Sequence, residues 1–102
     1  MAYIVKRDGR EVPFDKQRII DAILAAFEDV DAVDDYAKNK ASNIANYIEE
    51  ESNKSDRPLT VEEIQDFVEH GLMATKKKAV ARAYISYRNE RTRLREHNSA
   101  FM

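Results

Sequence analysis

The sequence predicts an α+β fold: a four-helix bundle capped at one end by a small β-sheet of two or three strands. Three observations predict it. Apolar residues recur at helical spacing in four separate segments. Two short runs rich in β-branched and aromatic residues flank Asp8-Gly9, the pattern of a hairpin. Only 2 Gly and 2 Pro punctuate the 102 residues, 43% of which are hydrophobic and 35% charged, an ordinary composition for one helical domain.

The elements follow in order. Tyr3 to Lys6 and Glu11 to Phe14 form a hairpin over 3–14, with Asp8-Gly9 expected as the central pair of a type I′ turn. Pro13 has no N–H to donate, so the second strand belongs at an edge or ends there. Asp15 is suited to cap a first helix over about 15–29, and Phe14 with Ile19 fits a hydrophobic staple. Ile19, Ile20, Ile23, Leu24 and Phe27 make its apolar stripe. An acidic, weakly periodic run from Glu28 to Asp35 leads to a second helix over about 34–52, with Ala37, Ala41, Ile44, Ala45 and Ile48 on one face. This helix fades into a polar loop expected over Glu49 to Arg57. Pro58-Leu59-Thr60 reads as extended and suits a short third strand. Thr60 and Glu63 are spaced as a capping box for a third helix over 61–73, carrying Val61, Ile64, Val68 and Leu72, with Phe67 alongside. After a break at Thr75 to Lys78, a fourth helix over about 76–96 turns Val80, Tyr84, Tyr87 and Leu94 to the core.

Several function classes fall away. The charges are mixed and sum to −2, so bulk electrostatics favour neither nucleic acid nor an anionic membrane. The chain has no cysteine, which excludes disulfides and thiolate chemistry. It carries no signal-peptide pattern and no run long enough to span a membrane, so a cytoplasmic module is expected. His70 and His97 lie on different helices without a carboxylate–histidine pattern, and both are expected at the surface. Glu49, Glu50, Glu51, Glu62 and Glu63 read as a solvated acidic face. Neither common glycine-rich phosphate loop occurs. No catalytic residue and no protein-held metal are expected.

Anion binding is better supported. Lys6, Arg7 and Arg10 cluster around the hairpin turn. Lys16 and Arg18 occupy the first turn of the first helix, where the dipole prefers acidic side chains. Arg88, Arg91 and Arg95 share one face of the fourth helix at i, i+3 and i+7. Taken singly, each group has an ordinary explanation as soluble turn residues or as a helix end offsetting its dipole. Jointly, that explanation does not account for three basic groups converging on one end of a bundle.

Three segments together resemble the ATP-cone domain: Val5-Lys6-Arg7-Asp8-Gly9-Arg10 with Pro13-Phe14-Asp15, then Leu59 to Asp66 with Val68-Glu69, then Val80 to Arg88. The order and spacing of all three make the resemblance specific, and it covers nearly the whole chain. The ATP-cone is a regulatory nucleotide-binding domain at the N-terminus of many ribonucleotide reductases. It is also found in a bacterial repressor of reductase genes, where it follows a zinc ribbon; the missing cysteines and the start at the hairpin depart from that version. The ending Tyr87 to Arg95 looks most like the cone of anaerobic ribonucleoside-triphosphate reductases, which implies an N-terminal piece of a larger reductase.

The resemblance implies ATP or dATP as an allosteric effector, accompanied by Mg²⁺. It implies phosphate contacts from Lys6 and Arg7, aided by Arg18 and Arg88, with Arg91 one turn on and Arg10 in the same basic turn. Val5, Ile19 and Ile64 would border the base or sugar, and Thr60 and Gln65 would hydrogen-bond adenine. The implied partners are the catalytic core of the parent enzyme and another cone. The alternatives are a cone of another reductase class or of the repressor, and a ligand-free protein-interaction domain. A nucleic-acid module built on the Arg88 to Arg95 run is disfavoured by net acidity and by the lack of interleaved aromatics.

Overall fold

The computed structural model describes residues 3–30 and 32–100, with side chains as far as Glu90. Strands β1 (Tyr3–Val5) and β2 (Glu11–Pro13) precede helices α1 (Lys16–Val30) and α2 (Asp35–Lys54). The short strand β3 (Leu59–Thr60) runs directly into α3 (Val61–Met73), and α4 (Lys78–Ala100) follows. The sheet order is β2-β1-β3. β1 pairs antiparallel with β2, Ile4 opposite Val12, and parallel with β3, Ile4 opposite Leu59. Pro13 therefore sits on an edge strand, where its missing N–H breaks no ladder. The expected α+β architecture of four helices and a small sheet is observed.

The hairpin turn differs from the expected type I′. Gly9 N–H donates to the Lys6 carbonyl at 2.9 Å and Lys6 N–H donates to the Arg10 carbonyl at 2.8 Å, which makes Arg7-Asp8-Gly9 a three-residue loop. Only Gly9 has positive φ, at 87°, and no residue other than glycine does among those described. A type I′ turn would force Asp8 into the left-handed region as well. The longer loop leaves that conformation to glycine alone, the pattern of a turn followed by a glycine bulge. The Asp8 carboxylate braces the loop by accepting from Arg10 N–H at 3.1 Å and Arg10 Nε at 2.7 Å.

The helix starts match their sequence signals. Asp15 Oδ1 accepts from Gln17 N–H at 3.1 Å and Arg18 N–H at 3.4 Å. Asp34 caps α2 through Ala37 N–H. Thr60 and Glu63 form the reciprocal capping box of α3. α2 runs to Lys54, through much of the segment expected as loop, because Ile48 and Ser52 continue its buried stripe at four-residue spacing. α4 begins at Lys78 because Thr75 punctuates the chain: its hydroxyl donates to the Leu72 carbonyl at 2.7 Å and accepts Lys77 N–H at 3.2 Å.

Ile23 and Phe27 of α1, Ile48 of α2, Val68 and Leu72 of α3 and Val80 of α4 are the largest fully buried side chains. Gly71 lets α3 approach α2, since a Cβ there would lie 2.8 Å from Ile44 Cγ1. Leu59 is 5% exposed and joins β3 to this core. The expected core role of Tyr87 is not observed; the residue is 51% exposed. On a 100° wheel the buried side of α4 runs through Val80, Ala81 and Tyr84 and reaches Arg88 one turn on, which leaves Tyr87 at its margin. Leu94, His97 and Arg95 have side chains outside the described residues, whereas His70 is exposed on α3 as expected.

Candidate functional site

A cavity of about 200 Å³ opens where the sheet meets the helices. Ile4 of β1 and Lys6, the residue just past the end of that strand, lie on its wall. Arg18 and Ile19 come from the first turn of α1, where Asp15 holds the backbone. Ile64, Gln65 and Val68 come from α3, and Tyr84 from α4. The wall is mainly apolar, with two cations, Lys6 and Arg18, set into it. The Asp15 carboxylate also lines the cavity, but it is engaged in capping α1.

Two polar groups deep in this wall matter. Gln65 Oε1 is buried and has no hydrogen-bond partner, a costly state for an amide oxygen in a residue that lines the cavity. Tyr84 is 5% exposed, and burial pushes its phenol up to about 12, so it stays a neutral hydroxyl at physiological pH. A site with apolar walls, two cations and an unmatched acceptor suits an amphipathic anion with a hydrogen-bonding ring.

The structure places the predicted residues unevenly. Lys6, Arg18, Ile19, Ile64 and Gln65 line the cavity. Val5, Arg7, Arg10, Thr60 and Arg88 are absent from its lining. Val5, the last residue of β1, sits between Ile4 and Lys6, opposite Glu11 and Thr60 in register. Arg10 folds onto Asp8 at the turn. Thr60 Oγ1 accepts Glu63 N–H within the capping box. Arg7 Nε lies 3.2 Å from Glu62 Oε1. Arg88 donates to Asp66 at 2.9 Å and Glu69 at 2.6 Å, and reaches the Glu62 carbonyl at 3.5 Å. Arg7 thus docks on the first turn of α3, and Arg88 chiefly on the turns that follow it. The side chain of Arg91 lies outside the described residues. Lys16 turns away to α2, where it meets Asn46 at 3.1 Å and Glu49 at 3.5 Å.

Ile4, Phe14, Val61 and Tyr84 also line the cavity, although the sequence marks them as strand, staple and core residues. One signal was available for Ile4: it lies two residues before Lys6 on one strand face. Nothing local distinguishes Tyr84 from an ordinary core aromatic.

The profile of the ATP cone domain matches residues 2–93. The chain belongs to the ATP-cone family. It is 38% identical over 102 residues to the ribonucleoside-diphosphate reductase subunit alpha of Chlamydia muridarum, covering 91% of this chain and 10% of that protein. It is 38% identical over 95 residues to the anaerobic ribonucleoside-triphosphate reductase of Escherichia coli, covering 92% and 13%. It is 39% identical over 98 residues to the vitamin B12-dependent ribonucleoside-diphosphate reductase of Thermoplasma acidophilum, covering 91% and 12%. The chain therefore spans about a tenth of the length of these reductases, and identity does not separate the three kinds. Among the described residues no helix is long and apolar enough to cross a membrane.

Proposed function

We propose that this ATP-cone is the adenine-nucleotide sensor of a ribonucleotide reductase, binding ATP or dATP to set the overall activity of the parent enzyme. The observation that carries this reading is that two cations, Lys6 and Arg18, and the amide residue Gln65 line one mainly apolar cavity. With its amide turned towards the ligand, Gln65 would accept from the exocyclic amine of adenine, whereas guanine presents a carbonyl at the same ring position. Ile4, Ile19 and Ile64 offer the apolar surface a base and sugar need.

The cavity is smaller than the ~300–1,000 Å³ typical of whole-ligand sites. It therefore suits the nucleoside end, with the phosphates at Lys6 and Arg18 and extending towards the Arg7 turn. Mg²⁺ would travel with the triphosphate, keeping much of its water; among the described residues no cluster of three His, Asp or Glu side chains forms a cage for it. ATP would permit reduction and dATP suppress it. One 2′-hydroxyl separates them, so the switch needs a coupling of only about 1–3 kcal/mol between effector and the packing of the cone on its partner. The partner is the catalytic core or a second cone. Among reductase classes the proposal favours the anaerobic ribonucleoside-triphosphate enzyme, on the resemblance of the Tyr87 to Arg95 ending.

Calorimetry on the 102-residue chain with ATP, dATP, GTP and salt-matched controls tests the reading. Adenine nucleotides should bind below millimolar and GTP more weakly. Absence of binding by both ATP and dATP overturns it.

A further inference from the structure

Glu62, Asp66 and Glu69 stand at i, i+4 and i+7 on α3, one acidic face. Arginines from two other elements come down on it, and they are held differently. Arg88, with a side chain 17% exposed, is gripped by Asp66 and Glu69 together. The Arg7–Glu62 pair is more open, with side chains 31% and 42% exposed. Its place is the informative part. Lys6 and Val61 both line the cavity, and Arg7 and Glu62 are the residues that follow them. The pair therefore bridges the hairpin turn to the first turn of α3 at the cavity rim.

We propose that Glu62 is a releasable clasp: it holds Arg7, and with it the hairpin turn, onto α3 in the unliganded domain, and yields Arg7 to a phosphate arriving beside Lys6 and Arg18. The inference rests on the nucleotide reading above and adds a regulatory residue that touches no ligand. Its physical basis is competition. A carboxylate and a phosphate are alternative partners for one guanidinium, and the phosphate offers more charge and more acceptor oxygens. An exposed pair is weak enough to exchange. The doubly held Arg88 is not, so α4 stays in place while the hairpin is re-tied. Occupancy of the cavity is thereby converted into a change in what fastens the turn, which is the surface a partner would read.

The test is a double-mutant cycle on the 102-residue chain with ATP and adenosine as probes. Glu62→Gln should tighten ATP binding by about 2- to 5-fold, the fold-change that corresponds to an exposed ion pair, and leave adenosine affinity unchanged. It should also speed amide exchange in the turn over residues 7–10 of the free domain, but not of the ATP-bound one. In an Arg7→Gln background the same substitution should give no further gain. Unchanged or weaker ATP binding by Glu62→Gln overturns the clasp while leaving the nucleotide reading intact. An equal gain in the Arg7→Gln background also overturns it, because Glu62 would then act only through its general field. No ATP uptake by the unmodified chain overturns both readings together.

Discussion

The two walls of the cavity are built from opposite materials. The helical wall rests on fully buried Ile23, Phe27, Val68, Leu72 and Val80. The hairpin wall rests on three-residue strands and a loop whose left-handed residue is Gly9. Tyr3 on β1 is 44% exposed, and the Arg10–Asp8 pair at the tip is largely in solvent. Few buried apolar contacts mean low local stability, and segments that move in response to ligands are drawn from that end of the scale. The difference teaches how the domain divides its work. The helices hold Ile64, Gln65 and Tyr84 in fixed positions, and the hairpin brings Lys6 to them and Arg7 to Glu62 beside them.

The largest expected break in that comparison is on the helical side. Phe27→Ala should lower stability by about 3–5 kcal/mol in urea unfolding, the cost of a cavity at a fully buried ring. A loss under 1 kcal/mol would mean that the helical wall is not the stable partner. Next come the cations of the cavity. Lys6→Ala and Arg18→Ala should each weaken ATP binding by about 1.5–3 kcal/mol, the value of a charge-assisted contact, while the melting temperature of the free domain stays within about 4 °C. If melting falls and affinity does not, these side chains are structural.

Gly9→Ala addresses the hairpin alone. No atom lies within 4 Å of the added Cβ, so its cost is the left-handed backbone itself, about 1–2 kcal/mol. It should appear as faster exchange in the turn and weaker ATP binding, with Gly9→Asn recovering most of the loss. The smallest effect concerns pH. The Arg57 guanidinium, paired with Glu63 at 2.7 Å and 2.9 Å, and Thr60 N–H together hold the Glu63 carboxyl down at about 2. A depressed folded value gives stability that is present above the unfolded value near 4.5 and lost as pH falls towards 2. Glu63→Gln should therefore cost up to about 1 kcal/mol at pH 6, as expected for an exposed pair, and its deficit against the parent should vanish between pH 4.5 and 2 in acid titrations of thermal stability. A deficit that persists at pH 2 would assign Glu63 to packing.

Much of this was legible in the chain. The caps at Asp15 and Thr60, the start of α2 near Asp34, the stripes of α1, α2 and α3 and the edge position of Pro13 are all encoded by residues within a turn or a strand of one another. The sequence also marks the basic groups, of which Lys6 and Arg18 share one cavity while Lys16 turns to α2. Less legible was which of them face the cavity. Lys6 and Arg18 do, whereas Arg7, expected beside Lys6 at the phosphates, and Arg88, expected to aid them, lie against carboxylates of α3. Tyr87 lies outside the core because the buried side of α4 continues through Arg88, an arginine that enters an interior only when acidic partners await it.

Residue order by itself thus determined the elements, their starts and their apolar faces, because helix and strand chemistry acts over a few neighbouring positions. Tertiary structure alone decided that Arg88 would be held by Asp66 and Glu69, 22 and 19 positions away, that Arg7 would lean on Glu62, and that Gln65, on the cavity wall, would be left with a buried, unmatched oxygen. Those outcomes depend on how α3 and α4 pack beneath the hairpin, and the strength of a charge or a buried acceptor is set by whatever distant group the fold brings beside it.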